Sequence, residues 1–272
     1  MPLASFASEQ CASSNEFCAP LKQWNFSLAL GAGTLTNPLH GGENIPLVII
    51  PYIHFYGEEF FIENNVIGYS FYQSEDWVIS AVSQLNREKA FFTDWQPSHL
   101  FLPNFSEALT GVDANQAVSK NDVKSRKWAL DAGIQINWFV SDSLEVKGQL
   151  LHDINRAYQG FNAHLSLYKN ISFETLKNTH LVLGAGVNWQ SAQLTDYYYG
   201  LDENDDVDLF NFYQAKSAIN PFVSIDVAHK INGNWQVKLA VKREFLDKQI
   251  SQSPLVKDQH ISSAFVGVVY AF

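Results

Sequence analysis

Trp128-Ala129-Leu130-Asp131-Ala132-Gly133-Ile134-Gln135-Ile136-Asn137-Trp138 is the stretch on which the fold turns. Extended, it puts Trp128, Leu130, Ala132, Ile134, Ile136 and Trp138 on one face and Asp131, Gly133, Gln135 and Asn137 on the other. A period of two with unlike faces is the signature of a β-strand. The pattern recurs at 181–190, where Leu181, Leu183, Ala185, Val187 and Trp189 alternate with Gly184, Gly186, Asn188 and Gln190, and at 235–242. Segments 24–33, 67–72, 144–153, 161–168 and 222–229 read the same way.

Such alternation suits a soluble sandwich with an apolar interior or a membrane barrel with its apolar face outward. Three features select the barrel. Aromatic residues gather at strand ends (Trp24, Tyr56, Trp77, Trp128, Trp138, Trp189, Trp235, Tyr270), where membrane interfaces place them. The strands run to about ten residues, enough to cross a bilayer at a tilt. Short turns (Gly57-Glu58-Glu59, Ser141-Asp142-Ser143, 170–178, Ile231-Asn232-Gly233-Asn234) alternate with long polar connections at 86–125, 192–217 and 247–259. The last strand carries Ala264, Val266, Val268, Tyr270 and Phe272 on one face; Val266, Val268, Tyr270 and Phe272 form the aromatic-ended signal that barrel-assembly machinery reads.

The expected fold is therefore an all-β transmembrane antiparallel up-and-down barrel over 22–272, preceded by a polar periplasmic segment, 1–21. About seven strands follow Arg126 and roughly four lie between Lys22 and Asn86, counting 60–68 as one. Termini on one side require an even number, so a hidden strand is expected within 89–102, giving about 12 strands, with about 10 as the alternative.

Composition agrees. Aromatic residues reach 14% with a single Met, while mean hydropathy is only −0.12, which favours pleated strands over helices. The longest apolar runs fall short of the about 18 residues a membrane helix needs. A net charge of −10 with no basic tract argues against nucleic acid. No complete signal peptide precedes Pro20, so the sequence is read as mature or nearly so. Cys11 and Cys18 lie in the N-terminal segment, away from any His-rich cluster, and are expected to pair in an oxidising periplasm, with free thiols or a lipid anchor as the alternatives, although Ser8-Glu9-Gln10 does not resemble a lipid-attachment box.

Several segments, in order, resemble the MipA/OmpV family, named for MltA-interacting protein and an outer-membrane protein of vibrios. They are Pro46-Leu47-Val48-Ile49-Ile50-Pro51-Tyr52, the run 60–68, Tyr197-Tyr198-Tyr199-Gly200-Leu201, and Ser251-Gln252-Ser253-Pro254-Leu255-Val256 followed by Gly267-Val268-Val269-Tyr270-Ala271-Phe272. The similarity extends from about residue 22 to the end, with 1–21 and 86–125 departing from it. It implies an outer-membrane location and a role as scaffold between a lytic transglycosylase and a penicillin-binding murein synthase. Other members are associated with adhesion, osmotic response or antibiotic susceptibility. Implied partners are outer-membrane lipid and lipopolysaccharide, the assembly machinery, and a murein hydrolase or synthase.

Asp131, Glu145, Lys147, Asp153, Asp226, Lys238, Lys242 and Glu244 fall on inward faces. The first reading is a structural network in which they neutralise one another across a narrow lumen, and the alternative is a polar pore or ligand pocket. Asp202-Glu203-Asn204-Asp205-Asp206-Val207-Asp208 is acidic but lacks the spacing and glycine of a calcium loop, so a solvated outer loop is expected. His152 and Asp153 are adjacent on a strand and point to opposite faces, so they cannot form a base and its orienting carboxylate. With no nucleophile elbow, phosphate loop or zinc spacing, the expectation is a protein without catalytic residues, cofactor or metal. The readings that remain are scaffold, narrow solute channel, and outer-loop adhesin or ligand binder.

Overall fold

The computed structural model describes residues 22–93, 118–173, 176 and 178–272. The chain runs through β1 (Trp24–Leu35), β2 (Ile45–Pro46), β3 (Ile49–Tyr56), β4 (Phe60–Glu63), β5 (Val66–Gln73), β6 (Trp77–Leu85), β7 (Leu130–Ser141), β8 (Leu144–Asp153), β9 (Phe161–Ser172), β10 (Thr179–Gln190), β11 (Ala218–Lys230), β12 (Trp235–Phe245) and β13 (His260–Ala271). Each wall strand pairs antiparallel with its neighbours, and β13 returns to β1 from Ser27↔Ala271 to Leu35↔Ser263, closing the barrel. β2 and β3 both pair with β1, through Thr34↔Pro46 and Leu30↔Ile49, and share one position in the wall. The thirteen strands therefore make a twelve-stranded wall.

The count agrees with expectation, but the hidden strand lies elsewhere. Run 60–68 is not one strand: Glu63 pairs with Val66, and Asn64, at φ 54°, turns the chain back into a hairpin. Asparagine tolerates the left-handed region better than most residues, which makes a two-residue turn feasible here. Lys89 to Phe92 instead belong to a 3-10 helix, Arg87–Phe92, and 94–102 lie outside the described residues. Because β4 is short, it pairs only with His54, Phe55 and Tyr56 of β3. The Asn64 N–H donates to Ile53 O (2.9 Å), and the Ile53 N–H donates to Asn64 Oδ1 (3.2 Å). Pro51, two residues on and facing the same edge, has no N–H to leave unmet.

Facing follows the alternation in the sequence, with apolar side out. In β7 Ile134 is 43% exposed while Asp131, on the opposite face, is 1% exposed. A soluble barrel would reverse this, so the exposed belt of Ile, Leu, Val and Phe is the lipid-facing surface. Trp77 and Trp138 stack at 5.1 Å, and Trp235 lies 4.8 Å from Tyr270, both at the end bearing the termini and short turns. Tyr56 does not join this girdle. It faces the lumen in a column with His54 and Tyr52, because β3 places even-numbered residues inward. Val266 and Val268 face lipid, and Phe272 packs edge-on against Tyr270.

On its lumenal face the first strand brings small residues to the closing seam: Ser27, Ala29, Gly31 and Gly33. Gly31 pairs with Gly267, and the Phe265 ring lies across both. An aromatic ring laid over glycines restores packing that they cannot supply. Segment 1–21, with the expected Cys11 to Cys18 disulfide, lies outside the described residues.

Candidate functional site

The described parts of the long connections, at the end opposite Trp24 and Phe272, fold inward over the mouth as a cap. Its fully buried core consists of Leu39, Leu194, Tyr198, Tyr199, Ile250 and Leu255, with Phe91, Val118, Tyr158 and Leu201 packed around them. Each large apolar side chain removed from water contributes about 1.5–3 kcal/mol, so six form a substantial core. Capping residues set the short helices. Ser191 accepts from Leu194 N (3.4 Å) at the start of helix Ala192–Tyr199, and Asp247 accepts from Gln249 N (2.8 Å) at the start of Lys248–Ser251. The tyrosine-rich and Ser-Pro-Leu-Val segments meet here: Ser253 Oγ donates to Tyr199 O at 2.7 Å. Leu39 bridges to Val256, so the cap also ties together the connections on either side of the seam.

Beneath this core sits a buried polar layer. The Glu88 carboxylate accepts from Tyr199 OH, from Gln190 Nε2 at 3.0 Å and from Arg87 Nε at 3.4 Å. Arg87 also bridges to Glu244 on β12. Asn86 caps the 3-10 helix through Glu88 N (3.0 Å) and donates to Asp131 Oδ2 (2.7 Å). Asp131 takes two more donors, Tyr158 OH at 2.6 Å and Asn162 Nδ2 at 2.8 Å. Burial and the Glu88 charge push the Tyr199 phenol far above its usual range, and burial with the Asp131 hydrogen bond does the same to Tyr158. Burial works against the Arg87 charge, but Glu244 and Glu88 outweigh it and hold the guanidinium cationic. Tyr199→Phe removes one donor to a buried carboxylate and is expected to cost about 1–2 kcal/mol, read as a lower urea midpoint.

All eight predicted inward charges face the interior, but they do not neutralise one another in a single chain of ion pairs. Glu244 pairs with Arg87, which the sequence did not single out. Glu145 accepts from Asn137 Nδ2 (2.5 Å), and Asp153 accepts the amides of Asn155, Tyr158 and Gln159. Asp226 lies diagonally between Lys238 and Lys242 on the neighbouring strand. Lys238 donates to Tyr52 OH (3.2 Å), and the Lys242 ammonium sits 4.1 Å from the Phe222 ring centroid, which His164 stacks on. Among the described residues, no carboxylate lies within ion-pair distance of Lys147, Lys238 or Lys242. His152 packs on Phe161 outside while Asp153 is buried inside, on opposite faces. The acidic run is not simply a solvated loop. Asp205 is buried, pairs with Arg126 at 3.3 Å and accepts Lys124 N at 2.8 Å, because cationic and amide donors of segment 118–129 meet it.

Arg87, Glu88 and Tyr199 were legible only as a charged loop and a tyrosine run. No periodicity marks which loop residues will meet inside a barrel.

The chain is similar to proteins already known. The outer membrane protein YiaT of Escherichia coli O157:H7 is 25% identical over 249 residues, covering 90% of this chain and 91% of its own. The MltA-interacting protein of Escherichia coli K12 is 23% identical over 90 residues, 33% of this chain and 36% of its own. Among solved structures, an outer membrane channel from Pseudomonas putida F1 covers 94% of this chain and 97% of its own at a TM-score of 0.46 and 10% identity. The family described as MltA-interacting protein MipA matches residues 28–272, a span that takes in the whole barrel wall from Leu28 onward and all of the described cap. The chain is an outer-membrane β-barrel and belongs to the MltA-interacting protein MipA family.

Proposed function

We propose that this barrel is a non-enzymatic interaction scaffold of the outer membrane, holding a murein hydrolase or synthase at its periplasmic end. The observation that carries the reading is the packed cap. A mouth filled by buried Leu39, Tyr198, Tyr199 and Leu255 makes a rigid body rather than a passage. The relative named MltA-interacting protein supports the same direction, over the third of the chain it matches. A narrow solute channel is the second reading, favoured by the lumenal lysines that no carboxylate pairs among the described residues. Membrane lipid and lipopolysaccharide around the wall, and the assembly machinery acting on the last strand, complete the proposed partners.

Two measurements on refolded protein separate the readings. Immobilised barrel is expected to retain a purified MltA-type lytic transglycosylase and to lose it when Gly57-Glu58-Glu59, Ser141-Asp142-Ser143 and Ile231-Asn232-Gly233-Asn234 are replaced by unrelated turns. In a planar bilayer the same protein is expected to give no discrete openings. Retention that survives replacement of all three turns together with 170–178 and segment 1–21, or no retention at all, would remove the scaffold. Openings altered by Lys238→Ala would establish the channel instead.

A further inference from the structure

A cavity of about 710 Å³ opens on the outer face of the cap, lined among others by Arg126, Asp196, Tyr197, Asp202, Phe212 and Tyr213. The size is ordinary for a small-molecule site, which typically encloses about 300–1,000 Å³. Arg126 Nη2 donates to Gly200 O (3.1 Å) and Asp205 Oδ2 (3.3 Å), and its guanidinium lies 5.7 Å from the Tyr197 ring centroid. Among the described residues its Nη1 has no acceptor and, unlike Nε, is not shut away from the surface. Asp196 uses Oδ1 to accept Ala215 N at 2.8 Å, which among the described residues leaves Oδ2 open. Phe212 is 40% exposed although it belongs to the lining, so its ring is available as a platform.

The rim is preformed. Gln159, also in the lining, holds φ at 54° because the Asp153 carboxylate fixes its amide at 2.9 Å and that of Tyr158 at 2.6 Å. Backbone held in this region by its surroundings is common around ligand sites.

Aromatic rings beside a free carboxylate oxygen and a free guanidinium nitrogen make up the chemistry that recognises sugars. The rings cover the C–H face of a pyranose, and the polar groups accept from and donate to its hydroxyls. Charge narrows the class. Arg126 is already matched by Asp205, so Asp196 and Asp202 leave the cavity net negative, which disfavours uronic and sialic acids. We propose that the cavity binds an uncharged saccharide at the cell surface, either the neutral outer core of lipopolysaccharide in the same membrane or a glycan beyond the cell. This goes beyond the periplasmic scaffold reading and stands or falls separately from it.

The test uses fluorescently labelled, refolded barrel in detergent on an array of neutral and acidic oligosaccharides that includes neutral outer-core oligosaccharide. Retention is expected on neutral sugars only. It is expected to fall about tenfold or more for Phe212→Ala and for Asp196→Asn. Phe210→Ala, fully exposed and outside the lining, serves as the control and should retain the parent affinity. Retention confined to the outer-core sugar assigns the ligand to the same membrane, and retention elsewhere assigns it outside; both support the site. Absence of retention on every sugar, preference for acidic sugars, or retention unaffected by both lining variants would overturn it. Heat-modifiable gel mobility confirms folding, and if Asp196→Asn fails to fold, Phe212→Ala decides.

Discussion

Gly31→Val is expected to leave the chain unable to close its barrel. A Cβ at this position would stand 2.2 Å from Val266 O and 2.6 Å from Gly267 Cα, both backbone atoms of the facing strand. Neither can withdraw without parting the ladder from Ser27↔Ala271 to Leu35↔Ser263, the strand pairing that joins the two ends of the wall. The cost should exceed about 4 kcal/mol, the range reserved for changes the structure cannot absorb. Refolding in detergent followed by unheated gel electrophoresis reads it directly: the compact band of the parent should be absent. Gly148→Ala is the control, since nothing lies within 4 Å of the Cβ it would gain. A compact Gly31→Val band with the parental urea midpoint would show that the seam is not so tightly built.

Glu88→Ala is the second large effect. The substitution removes the acceptor shared by Tyr199 OH, Gln190 Nε2 and Arg87, and leaves a buried hydroxyl and a buried amide without their partner. Breaking a buried polar centre by removing one member costs on the order of 3 kcal/mol, because the remaining groups were desolvated on folding and now gain nothing for it. The loss should fall on the cap rather than the wall. Far-ultraviolet circular dichroism should keep its strand signal, while limited proteolysis should begin to cut within 191–217. Glu88→Gln keeps an acceptor of the same shape and should lie between the two. Unchanged protection of 191–217 in Glu88→Ala would mean that apolar packing alone holds the cap.

The wall was legible in the sequence because one face of each strand meets lipid and the other meets water and polar side chains, and that contrast is written as a period of two. Trp128 to Trp138 shows it within a single segment. The reading failed where the period is too short to register. Glu63-Asn64-Asn65-Val66 turns inside an apolar run, and only the turn preference of two adjacent asparagines hinted at it. Tyr56 was misplaced for a related reason: an aromatic residue at a strand end suits an interface, but β3 parity sends it inward beside His54. The cap was not legible. Its core residues Leu39, Phe91, Tyr158, Tyr199 and Leu255 come from separate loops, and their meeting depends on where the wall anchors each loop. The resemblance marked the Tyr197 and Ser251 segments, but nothing in them announced that one would hydrogen-bond to the other.

The bridge between Leu39 and Val256 orders events in time. Leu39 follows the first strand and Val256 precedes the last, so the two meet only after nearly the whole wall has been laid down between them. Contacts so distant in sequence carry a large loop-closure entropy and form late. The bridge and the closing seam join residues of similar separation, so the cap is completed together with the ring and acts as a latch across the join.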